Sequence, residues 1–299
     1  MDPEAKRLKA AYAYGLGTVL IWSTVATAFK LALARMDHIQ LLLVADAVSV
    51  LTLALILAAQ GKLGLLLGLT RRELLRNLGL GLLNPLLYYL ILFKAYALLP
   101  AQVAQPLNYT WAITLSLLSV PLLGQRLARR DLLAICISYL GVVVLSLQGN
   151  LAQLDFGSPL GVGLALVSTL VWALYWIGNT RNSTDPVVAL LLNFSAALPC
   201  ILALALATSG LPDLTGTGVG IGMLAAGYVG VFEMGISFVL WLTAMRLTPS
   251  TARIGNLIFL SPFLSLVLIH FILGESIHTT TYAGLVLILG ATKDFFPAE

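Results

Sequence analysis

The sequence predicts an all-α membrane protein of ten transmembrane helices, arranged as a 5+5 inverted repeat with both termini cytoplasmic. Three observations carry this. The chain is 59% hydrophobic and only 10% charged, whereas a soluble domain carries about 25% charged residues and cannot hide so much apolar surface. Its apolar residues fall into runs of roughly 20, the length that crosses about 30 Å of hydrocarbon as a helix. Short motifs of the first half recur in the second at an offset of 149 or 150 residues.

The ten runs are Tyr12–Ala34, His38–Ala59, Asn77–Leu99, Gln102–Leu123, Asp131–Leu147, Pro159–Asn179, Pro186–Ala207, Val219–Met245, Thr251–Leu273 and Thr279–Phe295. Barrel strands would be about ten residues long with alternating polarity, so these lengths specify helices. The N-terminal MDPEAKRLKAAY has no cleavable-signal pattern, and the first run is expected to stay in the mature protein. Loops on one side hold Lys6, Arg7, Lys9, Lys62, Arg71, Arg72, Arg76, Arg126, Arg129, Arg130, Arg181, Arg246 and Lys293, with Arg253 at a helix mouth; the opposite side holds Arg35. By the positive-inside rule the basic side faces the cytoplasm. This placement accounts for the formal charge of +4, and no nucleic-acid partner is expected.

The repeat is read from four matches in the same order. "VLIWS" around Trp22 matches "TLVWA" around Trp172, "AYALLPA" (Ala95 to Ala101) matches "AMRLTPS" (Ala244 to Ser250), "LLGQRL" around Gly124 matches "ILGESI" around Gly274, and "YLGVV" around Gly141 matches "ILGAT" around Gly290. Residues 1–150 form one five-span unit and residues 151–299 the other, together one transport domain. Five is odd, so the second unit enters the membrane from the opposite face. Secondary transporters are built this way, with the site near the midplane between repeats.

These features resemble the drug/metabolite transporter superfamily in its EamA-type branch, over nearly the whole chain: ten spans in a five-plus-five repeat, a Trp in spans one and six, and Pro after spans three and eight. Within it the sequence is most similar to the bacterial aromatic amino-acid exporters. The resemblance implies a bundle in a bacterial inner membrane that opens alternately to either side. Members often close spans four and nine with Gly-Glu; here Gly274-Glu275 fits, but the first half has Gly124-Gln125.

The same offset sets Gly81 against Gly230 and Asn84 against Glu233. Pro85 follows Asn84 and weakens the third helix, while Gly227, Gly230 and Gly235 loosen the eighth. Helices interrupted at corresponding positions of two repeats point to a transport site. A carboxylate at a helix centre costs about 2.5–3.5 kcal/mol even on the lenient insertion scale. Glu233 therefore either stays protonated or faces a polar cavity. Two readings stand: a cavity-lining acid that binds an ammonium or carries a proton, and a packing residue bonded to a neighbouring helix.

Trp22, Tyr88, Tyr89, Trp111 and Trp172 fall near the centres of their spans, where membrane aromatics are unusual. Asn84 shares a face with Tyr88, Glu233 shares one with Ser237, and Gln105, Asn108 and Trp111 climb one side of span four. Arg253 and Asn256 share a face at the cytoplasmic mouth of span nine. The substrate-binding candidates are Trp22, Asn84, Tyr88, Tyr89, Asn108, Trp111, Trp172, Glu233 and Asn256; bulky helix packing is the alternative for the aromatics. Lys30, Asp46 and Lys94 lie in the outer halves of spans one to three. They are gate or ion-pair candidates, the lysines alternatively snorkelling to the outer surface. GxxxG spacings at Gly64/Gly68, Gly157/Gly161 and Gly218/Gly222 suit a loop or close helix contact more than a dimer.

The expected function is secondary transport, exporting amino acids, aromatic ones and other small amphipathic metabolites, by alternating access through a midplane cavity. A multidrug or other metabolite carrier of the same fold is the alternative. Phosphorylated substrates are disfavoured because the midplane lacks cations. An enzyme is not expected: there is no HExxH, GxSxG or Walker loop, and His38, His270 and His278 sit near the outer surface. A sensor or scaffold would not require midplane polar groups in both halves. No metal and no cofactor are expected, since Cys136 and Cys200 lie alone in apolar runs as small packing residues. The partners are a small-molecule substrate and the lipid bilayer, and the chain is expected to act as a monomer.

Overall fold

In the computed structural model the described residues are 3–123, 158–180, 182–213, 219–247 and 260–292, with 133, 136, 137, 140, 141, 144 and 257 as isolated positions. Among them there are helices and turns and no strand. The predicted fifth span lies outside the described residues except at isolated positions. Arg253, Asn256, Gln125, Arg126, Arg129, Arg130, Arg181 and Lys293 also lie outside them.

Helix α1 spans Pro3–Leu33 and α2 spans His38–Ala59. Helix α3 runs Arg71–Leu98 and is widened into a π turn at Leu82–Leu87. Helices α4 (Ala101–Tyr109) and α5 (Trp111–Leu123) meet at Thr110, where the predicted fourth span bends. Then come α6 (Pro159–Thr180) and α7 (Pro186–Thr208). Helix α8 is assembled from Val219–Tyr228, a π segment Val229–Ile236, and Ser237–Leu247. Helix α9 (Leu260–Leu268) also ends in a π turn, Ile269–Leu273, and α10 is Thr279–Thr292. Six of these runs are long and apolar enough to cross a membrane: 6–33, 38–59, 71–98, 159–179, 186–208 and 220–244. Side chains such as Leu51, Leu55, Leu160 and Leu224 stand exposed on their outsides. In water this would be an aggregation surface; in lipid it is the ordinary exterior of a multi-pass membrane protein. Cys136 and Cys200, expected as packing residues, are instead free and exposed, so they stand on that exterior.

Side-chain caps mark three helix starts. Asp37 Oδ1 accepts from the Ile39 and Gln40 amides at 2.7 and 3.0 Å, while Gln40 Oε1 accepts from the Asp37 amide, closing a capping box. Burial disfavours the Asp37 carboxylate, but hydrogen bonds from the Ser209 hydroxyl and these two amides outweigh it and hold the carboxyl below its usual range. Thr70 and Glu73 build the same box at α3. Asp185 caps α7 at Val187 and pairs with Lys62 at 2.9 Å. Desolvation opposes its ionisation, and the Lys62 ammonium and the Val187 amide prevail, so its carboxyl also sits below the usual range.

Packing pairs the two halves of the chain. α1 lies against α8 and α9, α3 against α6 and α7, α2 against α7 and the π segment of α8, and α4 and α5 against α6. Lipid supplies no hydrophobic drive between helices, so close backbone approach matters. It is tightest at two glycines. A Cβ on Gly81 would strike the Asn193 carbonyl oxygen, and one on Gly230 would strike the Ala45 carbonyl oxygen and Val48. Gly81 immediately precedes the π turn of α3, and Gly230 is the second residue of the π segment of α8. In α3 the cause is Pro85, which donates no amide hydrogen and whose ring crowds the preceding turn. Asn84 before it is driven out of helical geometry, to φ −144°, ψ 119°. In α8 no proline is present; the Ser237 amide reaches Phe232 O, five residues back, and the Ser49 hydroxyl from α2 donates to Met234 O at 3.0 Å.

Gly81→Ala and Gly230→Ala are each expected to destabilise the purified protein by about 1–3 kcal/mol, as overpacking against backbone does. Gly227→Ala, where a Cβ meets nothing within 4 Å, is expected to be neutral or slightly stabilising. Thermal unfolding in detergent checks this, and equal midpoints for all three would remove the close-approach argument. Asp185→Ala should cost about 1 kcal/mol through its lost cap. Because the folded carboxyl titrates below its unfolded range, that contribution is present above the unfolded value and fades as pH falls through the folded one; a wild-type minus variant difference that grows on acidification would contradict it.

Candidate functional site

The α3 turns that follow its break and the π segment of α8 meet α1, α4, α5 and α6 around a small chamber of about 50 Å³. Trp22, Tyr88, Asn108, Trp111, Trp172 and Glu233 all line it. These six of the nine predicted binding residues come from six different helices. Tyr89 stands just behind, its hydroxyl donating to Glu233 Oε1 at 3.2 Å. Asn84 is buried but is not among the chamber residues. Its extended backbone accounts for the difference, since the helical register that put it on the Tyr88 face is lost at the π turn. Asn256 lies outside the described residues.

The polar groups form two chains. In one, Tyr88 Oη donates to Asn108 Oδ1 at 3.3 Å and Asn108 Nδ2 donates to Ser168 Oγ at 3.1 Å. In the other, Trp22 Nε1 donates to Ser237 Oγ at 3.0 Å, and the Ser237 hydroxyl donates to the Glu233 carbonyl. Among the described residues Glu233 Oε2 has no hydrogen-bond partner. The rings pack with offset or edge geometry: Tyr88 and Trp172 have centroids 4.6 Å apart at 32°, Trp22 and Trp241 5.3 Å apart at 45°. A chamber with aromatic faces, one free carboxyl oxygen and amide groups can hold a ring by stacking and a polar end by hydrogen bonds. No lysine or arginine lines it among the described residues.

Tyr109, Trp176 and Trp241 also line the chamber and were missed. Tyr109 donates to Ser261 Oγ at 2.7 Å across to α9. Trp176 is one turn beyond Trp172 on the same face, a spacing that could have found it. Tyr109 and Trp241 sit on helices whose inward face only packing reveals.

At the end of the bundle opposite the basic loops a hydrogen-bond network joins the halves. The first turn of α4 follows Pro100 and has no side-chain cap of its own. Glu275, from the segment between α9 and α10, serves instead: its oxygens accept from the Ala101 and Gln102 amides at 3.0 and 3.2 Å. Gln102 Nε2 donates to Ser276 O at 2.8 Å, and Gln102 Oε1 accepts from Thr281 Oγ1 at 2.9 Å. Lys30 joins the last turn of α3, donating to Tyr96 O and Leu99 O at 3.1 and 3.0 Å. Carboxylate at a helix start and ammonium at a helix end complement the two dipoles.

Lys30 therefore does not pair with Asp46 or Lys94, and the expected ion-pair network of these three is not formed. The physical reason is reach: the free carbonyls ending α3 lie within hydrogen-bond distance of the Lys30 ammonium. Asp46 is fully buried in α2, both oxygens without partners, and Lys94 is half-buried on α3. The Gly274-Glu275 pair does have a structural task, since Gly274 takes φ +71° to end α9 and aims Glu275 at α4.

Comparison with known proteins agrees with this architecture. A solved crystal structure of another protein matches with a TM-score of 0.66 at 22% identity, covering 95% of both chains, a likeness of fold. An uncharacterized transporter of Clostridium kluyveri is 26% identical over 172 residues, 56% of this chain and 54% of that protein; the chain thus spans about half the length of the curated relative it matches. The profile of the EamA-like transporter family matches in two segments, residues 9–147 and 159–292. The chain belongs to the EamA-like transporter family.

Proposed function

We propose that this protein is a secondary transporter exporting aromatic amino acids and related small amphipathic metabolites, by alternating access through the chamber between its halves. In this reading the halves, 1–150 and 151–299, are inverted five-span repeats in a bacterial inner membrane, with both termini cytoplasmic. The observation that carries it is the chamber itself: Tyr88 stacked on Trp172 beside Asn108 and the uncommitted Oε2 of Glu233. The rings suit an aromatic side chain. The carboxyl suits an ammonium or a proton, and the Asn108 amide suits a carboxylate.

Two further observations support the inverted repeat. The family profile divides at the centre of the chain. The packing is also reciprocal: α1 on α8 answers α3 on α6, and α2 on the π segment of α8 answers α7 on the π turn of α3. Alternation needs a sealed end and an end able to admit ligand. The Glu275–Gln102 network supplies the seal on the side that the positive-inside rule makes external. A chamber of about 50 Å³ holds a few waters rather than an amino acid, so a ligand enters only as the halves separate.

Reconstituted protein should carry labelled tryptophan, phenylalanine or tyrosine above the rate of empty vesicles, and the absence of such flux from folded protein would end the substrate assignment. Glu233→Gln should insert normally yet transport about tenfold more slowly, a barrier change near 1.4 kcal/mol, with the response to an imposed pH gradient reduced. Flux equal to wild type would make the acid a packing residue. Glu275→Ala should loosen the seal. With Cys136 and Cys200 replaced by serine and Phe29→Cys as the reporter beside the chamber, an impermeant maleimide added outside should label the variant several-fold faster. An unchanged rate would reduce Glu275 to a helix cap.

A further inference from the structure

A second cavity, of about 200 Å³, lies between the chamber and the basic end of the bundle. It reaches from Tyr175 and Trp176 on α6 to Asn182 and Thr184 in the loop before α7, with Leu190 of α7 and Phe238 of α8 as walls. Trp176 lines both cavities and stands edge-on to Trp172 with centroids 5.9 Å apart at 79°. It is the partition between them. Its indole Nε1 is buried and meets no acceptor among the described residues, although a buried indole N–H ordinarily finds one. The mouth is held open by bonds that do not involve a ligand: Asn77 Nδ2 donates to Thr184 Oγ1 at 3.1 Å and Asn182 Nδ2 to Asn77 Oδ1 at 2.9 Å. Behind it, Asn193 is satisfied when its amide nitrogen faces the Ala189 and Asn77 carbonyls, at 2.9 and 2.8 Å, and its oxygen faces the Tyr175 hydroxyl at 3.1 Å. No charged side chain lines the cavity among the described residues.

We propose that this vestibule is a second ligand site, loaded from the basic end before the midplane chamber and separated from it by Trp176. This deepens the transport reading and rests on it. The ligand class is a neutral or zwitterionic aromatic amphiphile. Its ring is received by Tyr175, Trp176 and Phe238, and its carboxylate or carbonyl oxygen accepts from Trp176 Nε1. In the present state the vestibule has four times the room of the chamber, so loading takes place there first. Rotation of the Trp176 ring then joins the two spaces and passes the ligand inward.

Equilibrium dialysis of the purified protein with labelled L-tryptophan tests this by counting ligands per chain. Two per chain are expected in the wild type and one in Ala189→Phe or Leu242→Phe, each of which fills the vestibule from a different helix; the pair guards against one variant failing to fold. Glu233→Gln should keep the vestibule ligand, and Trp176→Phe should weaken that site about tenfold by removing its donor. One ligand per chain, kept in both filled variants and lost in Glu233→Gln, overturns the vestibule and leaves the chamber standing. One ligand lost in the filled variants and kept in Glu233→Gln upholds the vestibule and overturns the chamber assignment. Two ligands unchanged by either filling overturn the proposal, and no binding at all overturns both.

Discussion

In hydrocarbon every backbone amide and carbonyl needs a partner inside the protein, and this architecture is organised around the two places where the helical ladder cannot meet that demand. In α3 the interruption follows from Pro85; in α8 it follows a glycine that lets α2 approach. At the second break, side chains supply what the backbone ladder does not: Ser49 of α2 reaches Met234 O, and Ser237 of α8 itself reaches Glu233 O. The Ser237 hydroxyl is itself held by Trp22 of α1. One local fault in a helix is thus tied to two others, and the polar residues this requires face inward because lipid would not solvate them. The chamber is the space those residues surround.

The cost of burying Glu233 is reduced by the same arrangement. Tyr89 donates to one oxygen, and the residue borders the chamber. A carboxyl group that served only to lock helices would have both oxygens bonded. Asp46 makes the contrast clear. It is buried with neither oxygen hydrogen-bonded among the described residues, and nothing in the structure explains why that position carries an acid.

The ends of the bundle are built differently. At one, charged side chains satisfy helix termini across the halves: Glu275 on the start of α4, Lys30 on the end of α3. Such bonds are discrete, so the seal is either made or broken. At the other, Lys62 pairs with Asp185, and Asn77 of α3 bonds to Asn182 and Thr184 in the loop before α7, beside a cavity.

Sequence alone determined the helical class, the positions of the long apolar runs, the break at Asn84-Pro85 and the central placing of Trp22, Tyr88, Asn108, Trp111, Trp172 and Glu233. These are legible because hydropathy, proline chemistry and the cost of a buried acid act locally along the chain. Tertiary structure alone decided which of these residues share a cavity. Asn84 lost its register to the π turn, Lys30 exchanged an ionic partner for the carbonyls of another helix, and Trp241 and Tyr109 turned inward. Each of those outcomes depends on what a neighbouring helix presents across a gap of a few ångströms. Between Leu-rich helices in lipid, the facing direction leaves little periodic trace in the chain, because the outside is as apolar as the inside.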